Sequence, residues 1–281
     1  MNAINNLKIT GKYGKSILID IYNNEDNKPK PIIIFCHGYK GYKDWGAWSL
    51  MAEDFANSGF CFIKFNFSYN GGTIEQPIDF PDLEAFGNNN YTKELDDLDS
   101  VLNWIIEKFN SNKNFDISNI TLLGHSRGGG IVTIKAEEDS RISKVISLAG
   151  VSDYEKRFPD GEALEQWKKQ GVYYVENGRT KQQMPHYYQF FEDYKQNKDR
   201  LNIKRATSNL KIPHLIIHGN KDTSVSINEA ENLHKWNPNS DLIIIEGADH
   251  VFETKHPWQK TELSKELEMV IQSVVSFINS N

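Results

Sequence analysis

The chain has 281 residues, 38% of them hydrophobic and 25% charged. That suits one large domain, or a domain with an insertion, and argues against disorder. The formal net charge of −6 supplies no basic footprint for nucleic acid or an anionic membrane surface, and no apolar run approaches the ~18 residues that a membrane span needs.

Met1 to Thr10 is polar and has no apolar signal-peptide core. Cys36 and Cys61, the two cysteines, sit inside apolar runs. They read as buried, reduced thiols, which fits a reducing compartment and makes a cytoplasmic location the expectation. Without nearby paired histidines they do not make a zinc site.

Leu7 to Thr10 and Ser16 to Tyr22 alternate like the arms of a hairpin, with Gly11 and Gly14 in the turn. Asn23 to Pro31 is polar and reads as a loop. Ile32 to Cys36 is continuously apolar, the pattern of a strand buried on both faces of a parallel sheet, and it runs into His37-Gly38-Tyr39-Lys40-Gly41. Trp48, Met51, Ala52 and Phe55 follow at helical spacing, with Gly59 as the stop. Phe60 to Phe67 is the next strand. Ser68 to Asn90 is a long loop bearing glycine and proline, and such loops in compact domains are usually functional or mobile.

From Tyr91 a helix runs to about Phe109, with Leu95, Leu98, Val101, Leu102, Ile105 and Phe109 on one face. An apolar run from Ile120 then stops at Gly124-His125-Ser126-Arg127-Gly128, and a helix follows to near Ser140. Lys144 to Gly150 is a strand. The alternation breaks over 151–213, where polar and aromatic residues dominate. It resumes with a strand His214 to Gly219, a helix capped by Ser226 with Ala230 and Leu233 on its apolar side, a strand Leu242 to Ile245 and a helix Lys260 to Ile278. Alternating strands and helices imply an α/β fold: a mostly parallel central sheet with helices on both faces.

In such sheets active groups collect where strands end and helices begin. Gly124-x-Ser126-x-Gly128 has the order of a nucleophile elbow: strand, sharp turn, helix. By itself it also fits a glycine-rich turn with a capping serine. A serine hydroxyl needs a base, and the base needs an orienting acid. His250, after the last strand, is the base candidate. Asp222, just beyond the preceding strand, is the acid candidate. Asp249 is a rival, but neighbouring side chains rarely face each other well enough to hydrogen-bond. The order Ser126, Asp222, His250 belongs to one hydrolase architecture and not to the trypsin-like or subtilisin-like arrangements. A tetrahedral oxyanion needs two fixed N–H donors. The backbone of Arg127, after the nucleophile, supplies one. The Tyr39 N–H, in the loop after the first buried parallel strand, supplies the other, with His37 and Gly38 shaping the turn. The Arg127 side chain either points its charge into the site or is solvated. His125, His186, His214, His234 and His256 have no motif and read as structural or surface residues.

At these residues the chain resembles α/β-hydrolase-fold serine hydrolases, from His37-Gly38 through the elbow and Asp222 to His250. The single glycine of the oxyanion loop departs from the glycine-triplet type of the hormone-sensitive-lipase-like branch. With the insertion after Gly150, it is similar to bacterial feruloyl and cinnamoyl esterases and to prolyl-oligopeptidase-like hydrolase domains. The resemblance implies hydrolysis through an acyl-enzyme without cofactor or metal, a core of 1–150 and 214–281, and a cap or lid over 151–213. Phe158, Trp167, Tyr173, Tyr174, Tyr187, Tyr188, Phe190, Phe191 and Tyr194 populate that segment. They either roof an apolar pocket or glue the lid to the core. The expected partner is a small-molecule ester of a small or aryl acyl group, with no nucleic acid and no membrane; the oligomeric state stays open. The alternatives are a small-peptide or amide hydrolase and, in another class, an inactive ligand-binding protein on the same fold.

Overall fold

β-Branched and aromatic runs make the strands. β1 (Asn2–Thr10), β2 (Ser16–Asn23), β3 (Lys30–Cys36), β4 (Cys61–Phe65), β5 (Phe115–His125), β6 (Ile142–Leu148), β9 (His214–Gly219) and β10 (Asp241–Ile245) form one sheet in the order β1-β2-β4-β3-β5-β6-β9-β10. The pairs β1/β2 and β2/β4 are antiparallel. The other neighbours are parallel. The computed structural model describes residues 1–25 and 28–280.

Alternation along β3 sends Ile32, Ile34 and Cys36 to one face of the sheet and Ile33 and Phe35 to the other. The first face is covered by α3 (Tyr91–Phe109), α4 (Arg127–Glu138) and α8 (Ile227–Trp236). The second is covered by α1 (Trp48–Asn57) and α9 (Lys265–Ser280). All six apolar positions expected on the face of α3 are buried. The Asn90 carboxamide caps that helix by accepting the Lys93 N–H at 2.8 Å, and Ser226 caps α8. Cys36 and Cys61 are free and buried, and burial pushes both thiols up. Among the described residues no helix is long and apolar enough to cross a membrane.

Several boundaries differ from the sequence expectation. The first strand begins at Asn2, because its exposed edge pairs with β2 around an irregularity between Ile4 and Leu7. There Asn6 takes a positive φ and its N–H binds Asp20. Of the expected loop 23–31, residues 26 and 27 lie outside the described residues and β3 already starts at Lys30. β6 stops at Leu148, because Ala149 adopts a φ of 46°. The last helix starts at Lys265; before it, Ser264 Oγ accepts the Leu267 N–H at 3.2 Å. The long loop contains a one-turn helix α2 (Leu83–Gly87), capped by Asp82.

Between β6 and β9 the chain leaves the sheet. It forms α5 (Gly161–Gln170), an antiparallel pair of β7 (Val172–Glu176) and β8 (Gln183–Tyr187), α6 (Gln189–Gln196) and α7 (Ile203–Asn209). The strand pair carried little sequence signal because most of β7 is exposed and its neighbours are polar. α7 packs back against α4 and α8.

Candidate active site

β5 delivers Ser126 at the carboxyl edge of the sheet. Ser126 has φ 56° and ψ −117°, a conformation that L-residues avoid unless the surroundings hold them there. Here they do: the Ser126 N–H donates to the Leu148 carbonyl at 2.9 Å, and its own carbonyl accepts from Gly129 and Val151. The flanking glycines answer to close approach. A Cβ on Gly124 would collide with the Gly128 carbonyl, and one on Gly128 would sit 2.7 Å from the His37 oxygen. The end of β3 therefore crosses directly behind the elbow.

The same crossing brings the loop after β3 to the serine, where a Cβ on Gly38 would lie 2.9 Å from Ser126 Cβ. His37 braces this loop. Its Nδ1–H donates to the Gly38 carbonyl at 2.9 Å, and its Nε2 accepts the Phe67 N–H at 3.4 Å. Burial lowers its pKa to about 4, so it stays neutral. Among the described residues the Tyr39 and Arg127 N–H groups make no hydrogen bond to protein, and both residues line the cavity at Ser126.

Asp222 lies just past β9, and its side chain has no exposed surface. The Ser224 and Val225 N–H groups donate to its Oδ1 at 2.8 Å each. His250 Nδ1 donates to its Oδ2 at 2.7 Å, and His218 Nε2 lies 3.2 Å from the same oxygen. Burial alone would raise this carboxyl, but the hydrogen bonds from His218 and His250 outweigh it and hold the group well below the usual carboxylate range. An ionised Asp222 keeps the proton of His250 on Nδ1 and leaves Nε2 as the acceptor nitrogen. Asp249 is occupied elsewhere, accepting the N–H groups of Val251 and Glu253. His125 supports the loop from below, its Nε2–H donating to the His250 carbonyl at 2.8 Å. Burial lowers the His125 pKa to about 3.

Ser126 and His250 line the same cavity, but among the described residues no hydrogen bond joins them. Catalytic hydrogen bonds are often long without substrate and tighten in the complex.

The cavity has a volume of about 530 Å³. Of the nine aromatic residues singled out in 151–213, Phe158, Trp167, Tyr173 and Phe190 line it. Tyr188 and Phe191 pack around Trp167. Tyr187 bonds Glu84, Tyr194 packs against Tyr91 and Phe158, and Tyr174 is 54% exposed. Arg127 takes the inward alternative. Its guanidinium sits 4.6 Å above the Tyr39 ring, and Nη1 donates to the buried Glu94 at 3.2 Å.

Tyr91, Tyr154 and His186 also line the cavity and carried no motif. Tyr91 and Tyr154 stack at 3.7 Å, and the Tyr154 hydroxyl donates to the Arg127 carbonyl at 3.0 Å. His186 is hydrogen-bonded to the Tyr39 hydroxyl at 2.7 Å, and burial lowers its pKa to about 3. Position was the available signal for the tyrosines: one opens a helix and the other follows a strand, both at the carboxyl edge of the sheet. Nothing in the sequence around His186 marks it. Among the described residues no group of three or more His, Cys, Asp or Glu side chains is arranged to hold a metal ion.

A family model described as the alpha/beta hydrolase fold matches residues 31–182. An uncharacterised 31.7 kDa protein from the traX-finO intergenic region of Escherichia coli is 29% identical over 149 residues, covering 52% of this chain and 47% of that protein. The chain thus spans about half the length of that curated relative. Among solved structures, Est1E from Butyrivibrio proteoclasticus with bound ferulic acid superposes at a TM-score of 0.73, with 16% identity over 98% of both chains. The esterase domain of a Rhodothermus marinus protein gives 0.65, with 15% identity over 100% of this chain and 99% of that one. At these identities the likeness is one of fold.

Proposed function

Because the chain belongs to the alpha/beta hydrolase fold family, we propose that it is a serine hydrolase cleaving carboxylic esters of small or aryl acyl groups through an acyl-enzyme. The observation that carries this reading is the 2.7 Å bond from His250 Nδ1 to the buried Asp222, beside a serine held at positive φ.

In this reading Ser126 Oγ attacks the ester carbonyl while His250 Nε2 takes its proton. The negative oxygen forms between the Tyr39 and Arg127 N–H groups, where a fixed donor contributes about 3–4 kcal/mol in comparable sites. Collapse breaks the bond to the alcohol, which leaves with the proton from His250. Water then enters, gives a proton to His250 and its oxygen to the acyl carbon, and the acid departs as Ser126 regains its hydrogen. Asp222 remains ionised throughout and stabilises the imidazolium. Residues 151–213 act as the cap, and the rings of Phe158, Trp167 and Phe190 accept the apolar part of the substrate. Ferulic acid bound to Est1E agrees with an aryl acyl group on this fold.

Ser126→Ala is expected to abolish turnover of a chromogenic short-chain ester, and a fluorophosphonate is expected to label the unaltered protein at Ser126. Retention of most activity by the variant overturns the reading. An arylamide of the same acyl group should react far more slowly than the ester; equal rates favour the amide hydrolase.

A further inference from the structure

Two cavities meet at Ser126 and His250: the larger one and a second of about 250 Å³ that reaches Trp45, Trp48 and Arg179. Among the described residues no aspartate or glutamate lines either of them, whereas Lys40 lines both and Arg127 and Arg157 line the larger. Arg157 and Arg179 are already engaged as ion pairs, by Glu229 and Asp79.

Arg127 and Lys40 differ from these. Arg127 commits only Nη1, to Glu94. Its Nε and Nη2 make no hydrogen bond to protein among the described residues, neither is fully buried, and Arg127 lines the cavity. The guanidinium is clamped among Tyr39, Tyr91 and Phe190, with ring centres 4.6, 5.2 and 5.4 Å away, so its direction is set before a ligand arrives. Lys40 Nζ reaches the Glu176 carbonyl at 3.4 Å and lies 5.1 Å from the Tyr39 ring centre, and no carboxylate pairs with it among the described residues. Glu94 pairs with Arg127, which leaves Lys40 as the lining cation without a paired carboxylate among the described residues. A fixed guanidinium edge matches a carboxylate in plane and spacing, and a half-buried ammonium lining the same cavity adds attraction that water screens only in part.

We propose that the natural substrate carries a free carboxylate besides its scissile ester, held by Arg127 and Lys40. This inference rests on the ester hydrolase reading above. Two substrate pairs test it. On the acyl side, para-nitrophenyl hemiadipate is compared with para-nitrophenyl hexanoate; on the alcohol side, para-acetoxybenzoate is compared with its methyl ester. In at least one pair the carboxylate-bearing member should have the higher kcat/KM, by about tenfold or more, and that pair identifies the side of the ester that carries the charge. The ratio should fall toward one in Lys40→Met and in Arg127→Met. Because Arg127→Met strands the buried Glu94 and can fail to fold, Lys40→Met decides alone in that case. Equal treatment of both members of both pairs, or a preference that survives Lys40→Met, overturns the inference. Neutral esters hydrolysed at Ser126 with no carboxylate preference sink this inference only. Turnover that persists in Ser126→Ala sinks the hydrolase reading instead.

Discussion

The site has two halves, built differently. The half carried by the sheet is set by backbone contacts: Ser126 at φ 56°, glycines pressed against carbonyl oxygens, and a carboxylate that accepts two amide protons. The half carried by 151–213 is set by side chains: the ring of Phe158 stacks on Trp167 and meets Phe190 edge-on, on short elements whose outer faces are exposed. Backbone contacts tolerate no change of shape, while ring packing tolerates a good deal. In the proposed reading the first half carries the chemistry and the second the choice of substrate.

The largest break in this comparison is expected from Asp222→Asn. The amide would present either donor or acceptor to His250 Nδ1 and lose the charge, so the wrong tautomer is favoured. A fall in kcat on the order of 10⁴ is expected, with Tm changed far less; a loss under tenfold would place the orienting role elsewhere.

The rigid half also carries a pH liability. Burial holds the His37 pKa near about 4 and that of His214 near about 3, whereas an unfolded histidine takes its proton near ~6.5. Between those values the unfolded chain binds more protons, so stability is present above pH ~6.5 and falls as pH falls. Each group contributes a slope of about 1.4 kcal/mol per pH unit. In melting series taken downward from about pH 7, the unaltered protein should lose more stability than His214→Gln does. An unchanged slope in that variant refutes the assignment.

Gly128→Ala comes next. Its Cβ would press on the carbonyls at the end of β3, costing roughly 1–3 kcal/mol by overpacking and moving Ser126. Thermal melting and ester turnover should fall together; a variant that keeps both would mean the strand crossing is loose.

The smallest effect belongs to the other half. Phe158→Ala should leave kcat for an acetyl ester within a few-fold and lower kcat/KM for an aryl acyl ester by roughly tenfold. If both esters lose equally, the ring serves the packing of the cap and not the substrate.

How much was legible follows the same division. The apolar run of β3, the six-residue face of α3 and the Ser226 cap were written in local periodicity, and the structure has them. The order Ser126, Asp222, His250 was legible because each residue follows a strand, and parallel strands bring their carboxyl ends to one edge. The pair β7/β8 was not legible, because a mostly exposed, polar-flanked strand leaves no hydrophobic alternation. Nor was His186, which enters the cavity only because α2 and α6 frame it with Phe86 and Phe190.

By itself the sequence determined the strand-helix alternation, the elbow and the chain order of hydroxyl, carboxylate and imidazole, since hydrophobic period and glycine placement act within a few residues. Only the tertiary structure decided that Arg127 turns inward over Tyr39, that Tyr91 and Tyr154 share a wall, and that Lys40 meets no carboxylate among the described residues. Those outcomes depend on which side chains from distant segments exclude water from one another, and no local pattern encodes that.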